Sequence, residues 1–149
     1  MTDRPVRRQD GHWGWEGVEQ LNYKAEGSAP FSGITRQVLF QNPALGCELR
    51  YFEIQPHGYS TLERHEHAHA VMIQRGAGRV LVADQIHDVG AHDLVHIPAF
   101  AWHQFRAGGD APFGFLCMVN TVRDRPQLPT AEDLQRLKAD PLVAAFIAV

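Results

Sequence analysis

The sequence predicts an all-β domain, folded as an antiparallel sandwich or a small barrel. Short runs rich in apolar, β-branched and aromatic residues recur along most of the chain, and glycine or proline turns separate them. Short strands with turns at this spacing are typical of sandwiches and small barrels. The predicted strands lie at 34–40, 47–55, 70–74, 79–83, 85–89, 93–97, 102–106 and 113–120.

The N-terminal region, residues 1–32, differs from the strand pattern. Glycines punctuate it throughout, which predicts irregular backbone. Trp13, Trp15 and Tyr23 are nevertheless too apolar to remain in water. We therefore expect an arm that packs on the body of the protein or across a partner subunit, followed by a barrel over residues 33–122.

Residues 123–149 are the part of the chain that is predicted to be helical. Thr130 is a suitable cap for a helix reaching about residue 138. Asp140 followed by Pro141 has the cap and first-turn signature of a second short helix through residue 147. The prediction is one β-barrel with short C-terminal helices.

The composition indicates one globular domain that has no surface for nucleic acid or membrane. Of 149 residues, 44% are hydrophobic and 21% are charged, which is enough for a single buried core. The formal net charge of −3 provides no basic face. There is no apolar run of the roughly twenty residues that span a bilayer, and the first residues are polar. A cytoplasmic location with free cysteine thiols is therefore expected.

A dense group of potential metal ligands lies in the segment ERHEHAH at 63–69, which holds three histidines and two glutamates. A further histidine, His103, lies downstream in a strand-like context. Neutral imidazoles and carboxylates are the usual ligands of Mn, Fe, Ni, Cu and Zn. A His-rich surface loop is the alternative interpretation. The additional histidine favours a specific metal site.

These two segments resemble the motifs of the cupin superfamily. The first motif runs from Gly58 through the histidines to Gly76, with six residues between His69 and that glycine. The second motif corresponds to the segment IPAFAWHQF at 97–105. The resemblance covers about residues 45–120 and implies a jelly-roll barrel, the double-stranded β-helix, with a metal at its centre.

The resemblance also implies a set of metal ligands, for which the spacing leaves two registers open. In the first register, counting back from the closing glycine of the motif gives Glu63, His65, His69 and His103. The rival register uses His67 in place of Glu63. Glu63 and His65 share one strand face, and a bend near His67 would turn that ring away from the others. We therefore predict the first set, with His67 outside it.

A longer part of the chain resembles the bacterial cupins that act as 1-methylthioxylulose 5-phosphate methylsulfurylases. The matching segments are GITRQVLF, CELRYFEI, GYSTLERHEHAHAVMIQRGAGRVLV, DLVHIPAFAWHQFRA and FGFLCMVN. This resemblance implies an enzyme that removes the methylthio group from a sugar phosphate and yields 1-deoxyxylulose 5-phosphate, in a shunt from methionine salvage to isoprenoids. It also implies a thiol-dependent reaction, Mn²⁺ as the ion and a homodimer. Fe, Ni or Zn are other candidates for the ion, and a small external thiol such as glutathione is the expected co-substrate.

Attack on sulfur requires a thiolate, and the chain offers two cysteines. Cys117 lies in the last strand, where alternation places it on one face with Phe115 and Val119. Cys47 lies on an earlier strand, in parity with Glu53. Either cysteine could be a small buried hydrophobe, which is the commoner role of a lone cysteine on a strand. Cys117 is the preferred nucleophile, and Glu53, as a carboxylate facing the interior, is a candidate acid–base group.

A phosphate on the substrate would need cationic or hydroxyl partners. Tyr23, Lys24 and Arg36 could reach it if the N-terminal arm crosses the mouth of the barrel. The commoner role of such side chains is solvation at the surface, and we expect that role for each of them.

Two other classes of function fit the same residues. An Fe²⁺-dependent dioxygenase would use three histidines and one carboxylate and leave positions open for substrate and O₂. A small-molecule binding module without catalysis is the other class, because fold alone does not determine function. Oxygen uptake separates the dioxygenase from the thiol-dependent enzyme. Loss of activity in Cys117→Ser with metal retained would favour the thiol-dependent enzyme.

Overall fold

The computed structural model describes residues 4–149, so the first three residues of the predicted arm lie outside the described part. As predicted, the fold is mostly β, with two short helices at the C-terminal end. The strands are β1 (Leu21–Asn22), β2 (Ser32–Asn42), β3 (Cys47–Tyr59), β4 (His69–Arg75), β5 (Ala77–Val82), β6 (Gln85–Gly90), β7 (Leu94–Ile97), β8 (His103–Ala107) and β9 (Phe113–Asn120), and the helices are α1 (Ala131–Leu137) and α2 (Pro141–Phe146).

The described strands pair antiparallel in one curled sheet. Their order is β6-β5-β8-β3-β9-β4-β7, and β2 pairs with β3 and with the short β1. Strand β3 belongs to both halves of the sheet, because most of its length pairs with β9 while Tyr59 at its end pairs with Arg106 of β8. The result is a jelly-roll barrel, which confirms the predicted fold class.

Alternate side chains of the strands fill the interior, because successive residues on a strand point to opposite faces. Each fully buried apolar side chain contributes about 1.5–3 kcal/mol to folding. Both halves of the sheet contribute to this core, so the barrel has an apolar interior beneath the site described below. Its buried members are Ile34, Phe52, Ile54, Val71, Ile73, Val80, Val95, Ile97, Phe105, Phe113, Phe115, Cys117 and Val119.

The two glycines of the first motif lie where a side chain would not fit. Gly76 has a φ of +69°, and a Cβ on it would lie 2.2 Å from the carbonyl oxygen of Pro112. A Cβ on Gly58 would lie 2.6 Å from the carbonyl oxygen of Ser32. These glycines therefore allow close backbone approach at the two ends of the segment that carries the histidines.

The C-terminal helices begin at the predicted caps. The Thr130 side chain accepts a hydrogen bond from the Asp133 amide, and Asp140 caps α2 with Pro141 in its first turn. Val143 and Phe146 of α2 are buried against the outside of the barrel, in a second apolar cluster with Leu62 and Leu81. Among the described residues, neither helix has the length or apolar character needed to cross a bilayer.

The N-terminal arm packs on the barrel. The rings of Trp13 and Trp15 lie 5.6 and 5.0 Å from the ring of Tyr51, which is 1% exposed. Further along, Tyr23 packs edge-on against Phe52. The division into an arm (1–32), a barrel (33–122) and a helical segment (123–149) remains our proposal for the domain organisation.

Candidate metal centre and active site

Three imidazoles meet at one end of the barrel interior. His65 lies in the segment between β3 and β4, His69 is the first residue of β4, and His103 is the first residue of β8. Their candidate ligand atoms lie within 4.8 Å of one another, and the ring centroids are 4.8 to 5.0 Å apart. The strand ends therefore bring together three of the four predicted metal ligands.

Hydrogen bonds orient these rings. Nδ1 of His65 lies 2.6 Å from the carbonyl oxygen of His67, and Nδ1 of His103 lies 2.9 Å from that of Ala101. A carbonyl oxygen only accepts, so both Nδ1 atoms carry the proton and each Nε2 keeps a lone pair. Nε2 of His69 is buried and has no hydrogen-bond partner in the described part of the chain. Three such nitrogens fit a divalent transition-metal ion.

Burial keeps the three imidazoles neutral. It lowers the pKa of His69 to about 2 and that of His103 to about 4, and for His69 the neighbouring rings lower it further. Burial also lowers the pKa of His65, with His67 as the next cause. Neutral imidazoles bind metal without first losing a proton, so the cluster is ready to receive an ion at neutral pH.

Glu63 and His67, the two alternatives for the fourth ligand, both line the same pocket but have other partners. The buried carboxylate of Glu63 forms a salt bridge with Lys24 of the N-terminal arm. His67 stacks on His65 at a centroid distance of 3.7 Å, and its Nδ1 lies 2.7 Å from Oδ1 of Asp124. Glu63 as ligand and His67 as non-ligand therefore remain predictions.

Cys117 is buried within this pocket and contacts the imidazole cluster. Its Sγ lies 3.1 Å from Nδ1 of His69 and 3.5 Å from a terminal nitrogen of Arg50. Burial raises the pKa of the Cys117 thiol, and the Arg50 guanidinium opposes that shift. Cys47 lies at the start of β3, away from the lining of this pocket. The geometry thus places the preferred cysteine of the pair beside the site.

The expectation that Glu53 faces the barrel interior is wrong. Its carboxylate accepts hydrogen bonds from Tyr51 and Gln55 and forms a salt bridge with Arg75, all outside the pocket. The inward face of β3 is the one that carries Arg50 and Phe52. The N-terminal arm covers the outward face of β3, so that face is apolar as well. The alternation of apolar residues along β3 therefore did not identify which face points into the barrel.

The pocket is a cavity of about 200 Å³ that is open to solvent at one end. Besides the imidazoles and Cys117, four cationic side chains line it: Lys24, Arg36, Arg50 and Arg123. The expectation that Lys24 and Arg36 are solvated at the surface is wrong, since both line the pocket. Arg50, Arg123 and Asp124 were missed in the sequence. The strand period of β3 would have identified Arg50 if the correct face had been chosen. A pocket with imidazoles, a thiol and cations suits a small anionic organic molecule.

A jelly-roll barrel with three buried imidazoles at its open end defines a class of metal-binding β-barrel proteins. The cupin domain model matches residues 50–119. A 1-methylthio-D-xylulose 5-phosphate methylsulfurylase from Rhodospirillum rubrum is 57% identical over 97% of this chain and 93% of its own length. The chain belongs to the cupin family.

Solved structures support the same assignment. A cupin 2 conserved barrel domain protein from Rhodopseudomonas palustris superposes with a TM-score of 0.91 at 53% identity, over 97% of this chain and 99% of that chain. A cupin-2 domain protein from Rhodospirillum rubrum gives a TM-score of 0.85 at 56% identity, over 96% of both chains. The similarity thus includes the N-terminal arm and the C-terminal helices as well as the barrel.

Proposed function

We propose that this protein is an enzyme that removes the methylthio group from 1-methylthioxylulose 5-phosphate, with a thiol as co-substrate, to give 1-deoxyxylulose 5-phosphate. The observation that carries the proposal is the position of Cys117, whose sulfur lies 3.1 Å from His69 within the pocket that the three imidazoles line. The methylsulfurylase that is 57% identical to this chain supports it.

In this proposal His65, His69 and His103 hold a divalent ion, with Glu63 as the fourth ligand. Mn²⁺ is the proposed ion, and Fe, Ni and Zn are the alternatives. When bound, the ion supplies a positive charge that stabilises negative charge developing on the ketose. The carbonyl oxygens behind His65 and His103 fix those two rings, so their Nε2 atoms keep their direction toward the site.

The first chemical step is attack of the Cys117 thiolate on the sulfur of the methylthio group. A new S–S bond forms and the bond between sulfur and C1 breaks, with its electron pair remaining on C1. A proton is then added to C1, so the carbon is reduced while the two sulfurs are oxidised to a methyl disulfide. The guanidinium of Arg50 lies at the cysteine sulfur, where its positive charge favours the thiolate and opposes the effect of burial on the pKa of Cys117.

The second step regenerates the cysteine. An external thiol, which we propose to be glutathione, attacks the methyl disulfide and takes over the methylthio group, releasing Cys117 as thiolate. Because Glu53 lies outside the pocket, another group must donate the proton to C1. We assign that role to Lys24, which lines the pocket beside Glu63.

An anaerobic assay of methylthio transfer from the substrate to glutathione tests the function. Wild type and Cys47→Ser should turn over, whereas Cys117→Ser should bind metal normally and lose at least about 1000-fold in rate, because it lacks the nucleophile. Equal rates in the two serine variants would contradict the role of Cys117. Bound iron with substrate-dependent oxygen uptake would indicate a dioxygenase, and binding without turnover would indicate a binding module.

We further propose a cytoplasmic homodimer. Support for the dimer comes from exposed apolar side chains on the outer face of β4, β7 and β9. Met72, Leu94 and Met118 are 41%, 66% and 52% exposed, and strand pairing places them close together on that face. Such a contiguous apolar face is typical of a protein interface.

A further inference from the structure

The cationic side chains of the pocket differ in whether a carboxylate pairs with them. Lys24 is paired with Glu63, and Asp124 is paired with His67. The remaining three lining cations, Arg36, Arg50 and Arg123, are considered below as the arginine cluster.

Within residues 4–149, the arginine cluster has one carboxylate partner. Glu48, which is buried, lies 3.6 Å from a nitrogen of Arg50 and 3.6 Å from a nitrogen of Arg123. Because Arg50 and Arg123 share this carboxylate and Arg36 has no carboxylate partner among the described residues, the cluster keeps an excess of two positive charges. Like charges held together away from bulk water repel each other, so the protein places them there at a cost in stability.

Arg36 is the member of the cluster that has the fewest partners. It makes no salt bridge and donates no hydrogen bond within residues 4–149, and its buried Nε has no partner. Burial lowers its pKa, and the proximity of Arg50 and Arg123 lowers it further. A guanidinium that has no partner within residues 4–149 and that lines a pocket with two other guanidinium groups can bind an anionic ligand.

The strands fix the position of the cluster relative to the chemistry. Arg36 on β2 lies opposite Phe52 of β3, while Arg50 lies opposite Cys117 of β9, so all of these share the inner face. Across the inner face, the arginine cluster is followed by the thiol and then by the imidazoles. A ligand with an anionic end and a reacting end could therefore contact both ends of the pocket at once.

We propose that Arg36, Arg50 and Arg123 form the subsite that binds the phosphate of the substrate, an inference that rests on the proposed function. A phosphate monoester carries a charge of about −1.5 to −2 near pH 7, which matches the excess charge of the cluster. Guanidinium groups bind phosphate oxygens in pairs, and three of them around one phosphate provide enough donors for its three terminal oxygens. This subsite makes the phosphate a determinant of specificity.

Steady-state kinetics with phosphorylated and unphosphorylated 1-methylthioxylulose test the subsite. Arg50 is left unchanged because it contacts Cys117. In Arg36→Gln and Arg123→Gln, KM for the phosphorylated substrate should rise roughly 10- to 100-fold while kcat changes little, since a hydrogen bond to a charged group is lost. The preference for the phosphorylated over the unphosphorylated compound, expressed as the ratio of their kcat/KM values, should fall by a similar factor, because only the phosphorylated compound uses the subsite.

Arg125→Gln is the matched control, because Arg125 is exposed in the same loop and lies outside the pocket lining. Metal content and the thermal midpoint establish that each variant is folded. If Arg36→Gln does not fold, Arg123→Gln decides the question. A KM for the phosphorylated substrate that is the same in both pocket variants as in Arg125→Gln would overturn the subsite and leave the proposed function intact.

Calorimetric binding of inorganic phosphate separates the two proposals. Wild type and Arg125→Gln should bind phosphate more tightly than Arg36→Gln and Arg123→Gln. If wild type releases no methylthio group but this pattern of binding holds, the proposed function fails and the anion subsite stands. Equal phosphate binding in all four proteins would overturn the subsite.

Discussion

At the scale of single residues, contacts of the Nδ1 atoms set the orientation of the three imidazole rings. His65 and His103 each turn Nδ1 to a backbone carbonyl, and His69 turns Nδ1 to the sulfur of Cys117. Each ring thus offers Nε2 to a common point. The contact between His69 and Cys117 couples the metal centre to the nucleophile of the proposed reaction.

The metal ligands can be tested one at a time. His65→Ala, His69→Ala and His103→Ala should each lower the affinity for the metal, because each variant removes a ligand. The loss should exceed the roughly 10- to 100-fold that follows removal of a group hydrogen-bonded to a ligand. Elemental analysis and metal titration of the purified variants measure this.

The fourth ligand is decided by a second pair of variants. Glu63→Gln should weaken metal binding because it removes the anionic ligand. His67→Ala should retain the metal, since the candidate ligand atoms that lie within 4.8 Å of one another in the described chain are those of His65, His69 and His103. If His67→Ala loses the metal and Glu63→Gln keeps it, the rival register is correct.

At the scale of elements, Gly76 connects β4 to β5 at a point where the chain passes close to the start of β9. The positive φ and the contact with Pro112 mean that a side chain there would strain the backbone and displace the start of β9.

Gly76→Ala should therefore lower the free energy of unfolding by about 2 kcal/mol or more, through backbone strain and the steric overlap. Urea unfolding followed by circular dichroism measures it. Gly90→Ala is the control, because Gly90 ends β6 and a Cβ on it would meet no neighbouring atom of the described chain within 4 Å. This control should change stability by less than about 1 kcal/mol. Equal losses in the two variants would contradict a specific requirement at Gly76.

The elements themselves could largely be predicted from sequence. Strand alternation and the caps at Thr130 and Asp140 act within a few residues, so the pattern of neighbours is enough to identify them. The face of β3 could not be identified in the same way. Its outward side is apolar at Tyr51 because Trp13 and Trp15 cover it, and nothing in the local sequence records that contact.

At the scale of the whole molecule, the exposed apolar face of β4, β7 and β9 is the proposed dimer interface. Met118→Lys should convert the protein to a monomer, because it places a charge within that face. Light scattering coupled to size-exclusion chromatography gives the mass.

Leu142→Lys provides the control for this change. Leu142 is 75% exposed on α2, away from the proposed interface, so its substitution should leave the dimer intact. A wild-type protein with the mass of one chain would rule out the dimer, and a Met118→Lys variant that remains dimeric would place the interface on another face.

Residue type, short spacing and strand alternation were enough to predict the all-β class and the terminal helices. The family resemblance was needed to choose the set of metal-binding histidines and to direct attention to a cysteine nucleophile. What surrounds these residues follows from tertiary contacts: the salt bridge of Lys24 with Glu63, the bond of Asp124 to His67, and the arginine cluster. The residues of each of these contacts lie far apart in sequence, and they meet because strand register and curling of the sheet bring distant segments together.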